Sequence, residues 1–173
     1  MIPEFKKQPA RQEPAGARRA VVEAASRLGQ TPDQLIPILQ EVQKRFNYLP
    51  PSAIEEAAAK LELPLIQVYQ AATFFSAFSL EPRGEKIISV CMGTACHVRE
   101  GPLILEALER RLAISAGETT GDGRYTLLSV GCLGACALGP VVDVNGRTHG
   151  HMNVQKAEKL VEQMDKEARL GTA

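Results

Sequence analysis

The chain has 173 residues, with 20 Lys plus Arg balanced by 20 Asp plus Glu. Its 45% apolar and 23% charged content is that of a soluble globular protein, and zero net charge gives no electrostatic reason for a nucleic-acid or membrane-surface partner. No stretch approaches the roughly 18 apolar residues of a membrane span, which argues against direct membrane insertion.

The opening segment, MIPEFKKQPARQEPAGARRA, lacks the apolar core of a secretory signal, and Glu4 and Glu13 count against a transit peptide. A cytoplasmic protein is therefore expected, with residues 1–17 forming a flexible tail rich in Pro, Gln, Lys and Arg. A helical module should follow over 18–78. Val21, Val22, Ala24, Ala25 and Leu28 recur at helical spacing from about Arg18, and Gly29 ends the segment as a C-cap. Thr31, Pro32 and Gln34 spell a capping box ahead of Leu35, Ile38, Leu39, Val42 and Phe46. Pro37 requires that this helix begin in earnest near Leu35 or bend. Ser52 and Glu55 repeat the start signal for a third helix that stops near Leu61, and a fourth runs from Pro64 with Leu65, Val68, Ala71, Ala72 and Phe75.

Pro82 and Gly84, set among charges, mark residues 79–85 as a linker. Beyond it, over 86–173, the pattern changes to α/β. Ile87–Cys91 reads as a buried strand, Pro102 opens a helix carrying Leu105, Leu108 and Leu112, and Tyr125–Val130 makes a second strand after the turn-rich ETTGDGR. PVVDVNGRTHG is a hairpin turning on Asn145-Gly146, and a last helix runs from about Asn153 to Leu170. The order strand, helix, strand, hairpin, helix describes a four-stranded sheet with two flanking helices of the thioredoxin-like kind, although the order alone fits several folds.

The four cysteines of the chain fall at matching places, Cys91 and Cys96 after the first strand, Cys132 and Cys136 after the second. If those strands are neighbours, the two loops converge at one end of the sheet. In a reducing compartment four cysteines point to a metal or to redox chemistry ahead of disulfides. Thiolates suit zinc or an iron-sulfur cluster. The loose C-x4-C and C-x3-C spacings could give each of two irons two thiolates. Gly93, Thr94, Ala95, Gly131, Gly134 and Ala135 leave room for backbone N–H groups to approach inorganic sulfide, so a [2Fe-2S] cluster leads. Zinc, a pair of disulfides and inert buried thiols stay open at this point. A dithiol oxidoreductase would need C-x-x-C, which is absent.

CMGTACHVR together with CLGACALGPVVDVNG resembles the thioredoxin-like [2Fe-2S] ferredoxins, the group with the 24-kDa subunit of NADH:quinone oxidoreductase and small subunits of NAD(P)-linked hydrogenases and formate dehydrogenases. The segment LIPILQEVQKRFNYLPPSAIEEAAAKLELPLIQVYQAATFFSAF is similar to that family's N-terminal helical region. The resemblance implies that Cys91, Cys96, Cys132 and Cys136 hold a [2Fe-2S] cluster. It also implies a carrier that works beside an FMN- and NAD(P)-binding flavoprotein and further iron-sulfur subunits, with no catalysis by the chain alone. The sequence agrees, since it shows neither G-x-G-x-x-G after a strand nor a P-loop.

His97 is a candidate for a hydrogen bond that tunes the cluster or for replacing a ligand as in Rieske centres, although four cysteines already complete the site. Arg99 reads equally as a charge that stabilises the cluster or as a solvent-facing loop arginine, and His149 reads as a surface histidine. A competing reading takes AIEEAAAKLELPLIQVYQAATF as a helix-turn-helix in a redox-sensing regulator. Its recognition helix, from Pro64 to Phe74, contains no Lys or Arg for phosphate contacts, so no nucleic-acid partner is expected.

Overall fold

The computed structural model of the chain describes residues 14–170. Two compact units divide between Pro82 and Arg83. The expected tail, residues 1–17, lies mostly outside the described residues, but Ala17 is already buried in the first helix.

The first unit is four helices: α1 (Ala17–Leu28), α2 (Leu35–Phe46), α3 (Pro51–Lys60) and α4 (Leu65–Phe74). Alanines at helical spacing, Ala17, Ala20, Ala24 and Ala25 of α1 and Ala53, Ala57 and Ala58 of α3, form faces small enough for close helix approach. They pack around Ile38, Leu39, Val42, Leu49, Ile54, Leu61 and Val68. Gly29, at φ 112°, closes α1 by donating to the Ala25 carbonyl, and Asn47, at φ 64°, closes α2 by donating to that of Gln43. The half-buried Gln43 side chain then donates to the Asn47 carbonyl and accepts from the Ser79 N–H, holding the returning chain.

Two expected caps are replaced. Pro32–Gln34 forms a separate 3-10 turn, Thr31 makes no capping bond, and α2 starts at Leu35, where Pro37 falls in the first turn and its missing N–H costs nothing. In the Pro50-Pro51 pair, the extended Pro50 caps α3 and Pro51 begins it, which moves Ser52 inside the helix.

The second unit contains β1 (Lys86–Cys91), α5 (Thr94–Val98), α6 (Gly101–Leu112), β2 (Tyr125–Val130), β3 (Val142–Val144), β4 (Arg147–His149) and α7 (Val154–Leu170). The strand order is β2-β1-β3-β4. β1 pairs in parallel with β2, from Lys86 opposite Tyr125 to Cys91 opposite Val130. β3 runs antiparallel to both β1 and β4. A core of Ile88, Val90, Leu127 and Val142 from the sheet meets Ile104 and Leu108 of α6 and Ala157, Val161 and Met164 of α7. This is the thioredoxin-like architecture expected from the element order.

Asn145 and Gly146, at φ 51° and 85°, make the hairpin turn. The Asn145 amide also pins the start of β1, accepting from Ile87 N–H at 2.8 Å and donating to Glu85 O at 2.9 Å. Gly84 and Glu85, expected in a linker, already belong to this unit. Gly84 N–H donates to the buried Thr126 hydroxyl, and a Cβ at Gly84 would lie 2.8 Å from the Tyr125 carbonyl carbon.

Candidate metal centre

Parallel pairing of β1 with β2 brings both strand exits to one end of the sheet. Cys91 is the last residue of β1, and Cys132 follows β2 by two positions. From Cys91 the chain turns through Gly93 into α5, a helix of one and a half turns that the sequence pattern does not announce. Gly93 O accepts from the N–H groups of Cys96 and His97, so this turn sets the position of Cys96. On the other loop, Cys136 opens a 3-10 turn, Cys136–Leu138, ahead of the cis Gly139–Pro140 bond.

The four thiols divide by environment. Cys91 and Cys96 are buried and pack with Val141, Leu133 and Ala135, whereas Cys132 and Cys136 are exposed. Sγ of Cys132 lies 3.9 Å from Sγ of Cys136, far from the disulfide length of about 2.05 Å.

Backbone donors surround the sulfurs. Burial opposes ionisation of Cys91, but the N–H groups of Gly93 and Leu133, with the neighbouring Cys96 and Cys132 thiols, outweigh it and hold Cys91 below the usual thiol range. Burial and the Cys91 thiol push Cys96 up against the N–H of Val141. Cys136 is raised first by its interaction with Cys132 and then by that neighbour's charge. Gly134 N–H points at Cys132 Sγ from 3.3 Å. The thiols of the first loop thus interact with those of the second, Cys91 with Cys132 and Cys96 with Cys136.

Glycine keeps this space open at two positions. A Cβ at Gly93 would sit 2.9 Å from Gly131 O and 3.5 Å from Cys132 Sγ, and one at Gly139 would sit 3.3 Å from Cys96 Sγ. Among the described residues, no three His, Cys, Asp or Glu side chains group around a point that would hold a single metal ion. Four thiols with backbone N–H donors among them are a donor set that suits a binuclear iron core with bridging sulfide.

The other candidate residues separate clearly. His97 projects from α5 into solvent, and His149 lies at the end of β4, half-buried. Arg99, just after α5, reaches back to donate to Gly139 O at 3.3 Å. Gly93 and Gly134 supply N–H donors as the loop composition suggests. Leu133 and Val141 do so without any sequence signal, because the donor is backbone and its aim depends on the loop's course.

The model of the thioredoxin-like [2Fe-2S] ferredoxins matches residues 21–165, most of the chain. The chain belongs to this family. The family carries a [2Fe-2S] cluster, and the thiol pocket is chemically suited to one. Two curated relatives are components of oxidoreductase complexes. The chain is 36% identical over 143 residues to the NADP-reducing hydrogenase subunit HndA of Solidesulfovibrio fructosivorans, covering 83% of this chain and 84% of the relative. It is 42% identical over 130 residues to an NADH-quinone oxidoreductase subunit of Rickettsia typhi, covering 75% and 76%. Among solved structures, the air-oxidised NAD+-reducing [NiFe]-hydrogenase aligns with a TM-score of 0.68 at 21% identity, covering 78% of this chain but only 23% of that one. At that identity the likeness shows the fold. Among the described residues no helix is long and apolar enough to cross a membrane.

Proposed function

We propose that Cys91, Cys96, Cys132 and Cys136 hold the [2Fe-2S] cluster, and that the chain is the electron-carrying subunit of a cytoplasmic NAD(P)H-linked oxidoreductase. It exchanges single electrons with the FMN of a partner flavoprotein that binds NAD(P), beside further iron-sulfur subunits. The observation that carries this reading is the convergence of four free thiols, two buried and two exposed, at one end of the β1–β2 pair. The relatives' names support a dehydrogenase or hydrogenase complex as the setting.

The cluster supplies one-electron redox chemistry when bound. Cys91 and Cys96 anchor it against the apolar residues beneath. The N–H groups of Gly93, Leu133, Gly134 and Val141 oppose its negative charge. Cys132 and Cys136, being exposed, would hold it where a partner's redox group can approach. A hydride delivers two electrons and this centre accepts one, so a flavin elsewhere must divide the pair.

Rapid mixing of NAD(P)H with the chain alone, the flavoprotein alone and the two together tests the proposal. Cluster bleaching only in the complex is expected, and bleaching in the pure chain would overturn it. Iron and acid-labile sulfide analysis tests the ligands. Serine at any one of the four cysteines should impair the cluster, while unchanged loading in all four variants would reject the assignment.

A further inference from the structure

We infer that Arg99 is a positioning and tuning residue for the metal centre, its guanidinium charge raising the midpoint potential of the group held by the cysteines. The inference rests on the proposed ligand assignment. Its physical basis is a contact between two loops. Arg99 follows α5, three residues after Cys96, and its Nη1 donates to the carbonyl of Gly139 at 3.3 Å. Gly139 is buried, and the point where its Cβ would stand is 3.3 Å from Cys96 Sγ and 3.7 Å from Arg99 Nη1. The guanidinium therefore lies within about 7 Å of the Cys96 sulfur, inside the screening length of about 8 Å at physiological ionic strength.

That charge has no carboxylate to neutralise it. Among the described residues no Asp or Glu pairs with Arg99, whereas Arg111 and Arg124 share Asp165. A [2Fe-2S] centre with four thiolates is anionic, and one-electron reduction adds negative charge, so a fixed cation nearby favours the reduced form. The hydrogen bond to Gly139 restricts the arginine to this position and ties the Cys96 segment to the Cys136 loop. His97, nearer to Cys96 in sequence, is exposed as Arg99 is, but among the described residues has no such hydrogen bond to hold it to the second loop.

The test is a potentiometric titration of the cluster-loaded full chain, followed by electron paramagnetic resonance, for wild type, Arg99→Gln and Arg99→Lys, with iron and sulfide content measured first. Glutamine keeps an N–H donor for Gly139 and removes the charge, whereas lysine keeps the charge. The expected result is a more negative potential in Arg99→Gln, a three- to tenfold loss of reduced centre at fixed ambient potential, the tenfold limit being about 59 mV for one electron. Arg99→Lys should stay near wild type. An unmoved Arg99→Gln, or an Arg99→Lys as negative as Arg99→Gln, would overturn the inference. Cluster loss in Arg99→Gln with retention in Arg99→Lys would also support a charge role. Loss in both would assign Arg99 to loop structure alone and overturn it. Absence of iron and sulfide from the wild type would instead reject the ligand assignment, a separable outcome.

Discussion

Tyr125 Oη donates a 2.7 Å hydrogen bond to Asp165 Oδ1, joining the first residue of β2 to α7. Arg124 donates to the same carboxylate oxygen at 2.6 Å. Burial first, and then this carboxylate, push the Tyr125 phenol up to about 12 from the usual 10. The folded state thus retains a proton that the unfolded chain releases, so this contribution is complete below pH 10 and is lost as pH rises towards 12. Tyr125→Phe should cost about 1–2 kcal/mol near neutral pH. Urea unfolding at a series of pH values should show the gap between wild type and variant closing above pH 10. A gap that stays constant to pH 12 would contradict the raised Tyr125 phenol.

Gly139 and Gly131 offer a matched comparison near the cysteines. A Cβ at Gly139 would meet Cys136 O at 3.2 Å and Cys96 Sγ at 3.3 Å, while one at Gly131 meets nothing within 4 Å. Gly139→Ala should speed loss of the cluster to an iron chelator several-fold, and Gly131→Ala should match the wild type. The decay of visible absorbance under chelator reads both, and equal rates for the two variants would show that the Gly139 contact is accommodated.

At the entry to β1, Gly84 lies edge-on to the backbone of Arg124 and Tyr125, with a Cβ position 2.8–2.9 Å from their atoms. Backbone cannot swing aside as a side-chain tip can. Gly84→Ala should therefore destabilise the sheet unit by about 1–3 kcal/mol. Denaturant unfolding followed by near-ultraviolet circular dichroism measures this, and an unchanged midpoint would mean that β1 shifts without penalty.

Along α4, Ile66 and Phe74 are 64% and 81% exposed in a helix without a single charged residue. Such apolar exposure is the mark of a contact surface. We expect Ile66→Asp and Phe74→Asp to leave helix content and cluster loading intact but to weaken co-purification with the proposed flavoprotein partner. Full recovery of the complex with both variants would argue against a docking role for α4.

Much of this architecture is legible in the sequence because local chemistry dictates it. Tyr125–Val130 and the Asn145-Gly146 turn can be read directly, since apolar runs and a residue pair that tolerates positive φ leave few alternatives. Convergence of the cysteine loops is conditional until the parallel register of β1 and β2 is known. The two displaced caps share one cause. Proline, through its fixed φ, opens the 3-10 turn at Pro32 and α3 at Pro51, and neither start carries a side-chain capping bond from its N-cap residue. Helix α5 is too short for a periodic signal. The Arg99–Gly139 and Tyr125–Asp165 contacts join residues 40 positions apart, beyond any local pattern. Gly84 reads as a boundary marker because close backbone approach and loop flexibility call for the same residue.

The parallel pairing of β1 with β2 also orders events in the making of the protein. Parallel neighbours need a long crossover, here containing α6 and the turn before Tyr125, so the two cysteine loops become neighbours only after a non-local closure. A ribosome that has released β1 and α6 presents Cys91 and Cys96 alone, half of a binding site. With the four cysteines as the proposed ligands, metallation waits until β2 and the Cys136 loop have emerged and docked. Chains arrested before Tyr125 should take no iron from an assembly scaffold, whereas chains arrested after the β3–β4 hairpin has cleared the exit tunnel should take it. Iron captured by the shorter chains would show that the cysteines of the first loop recruit metal before the sheet exists.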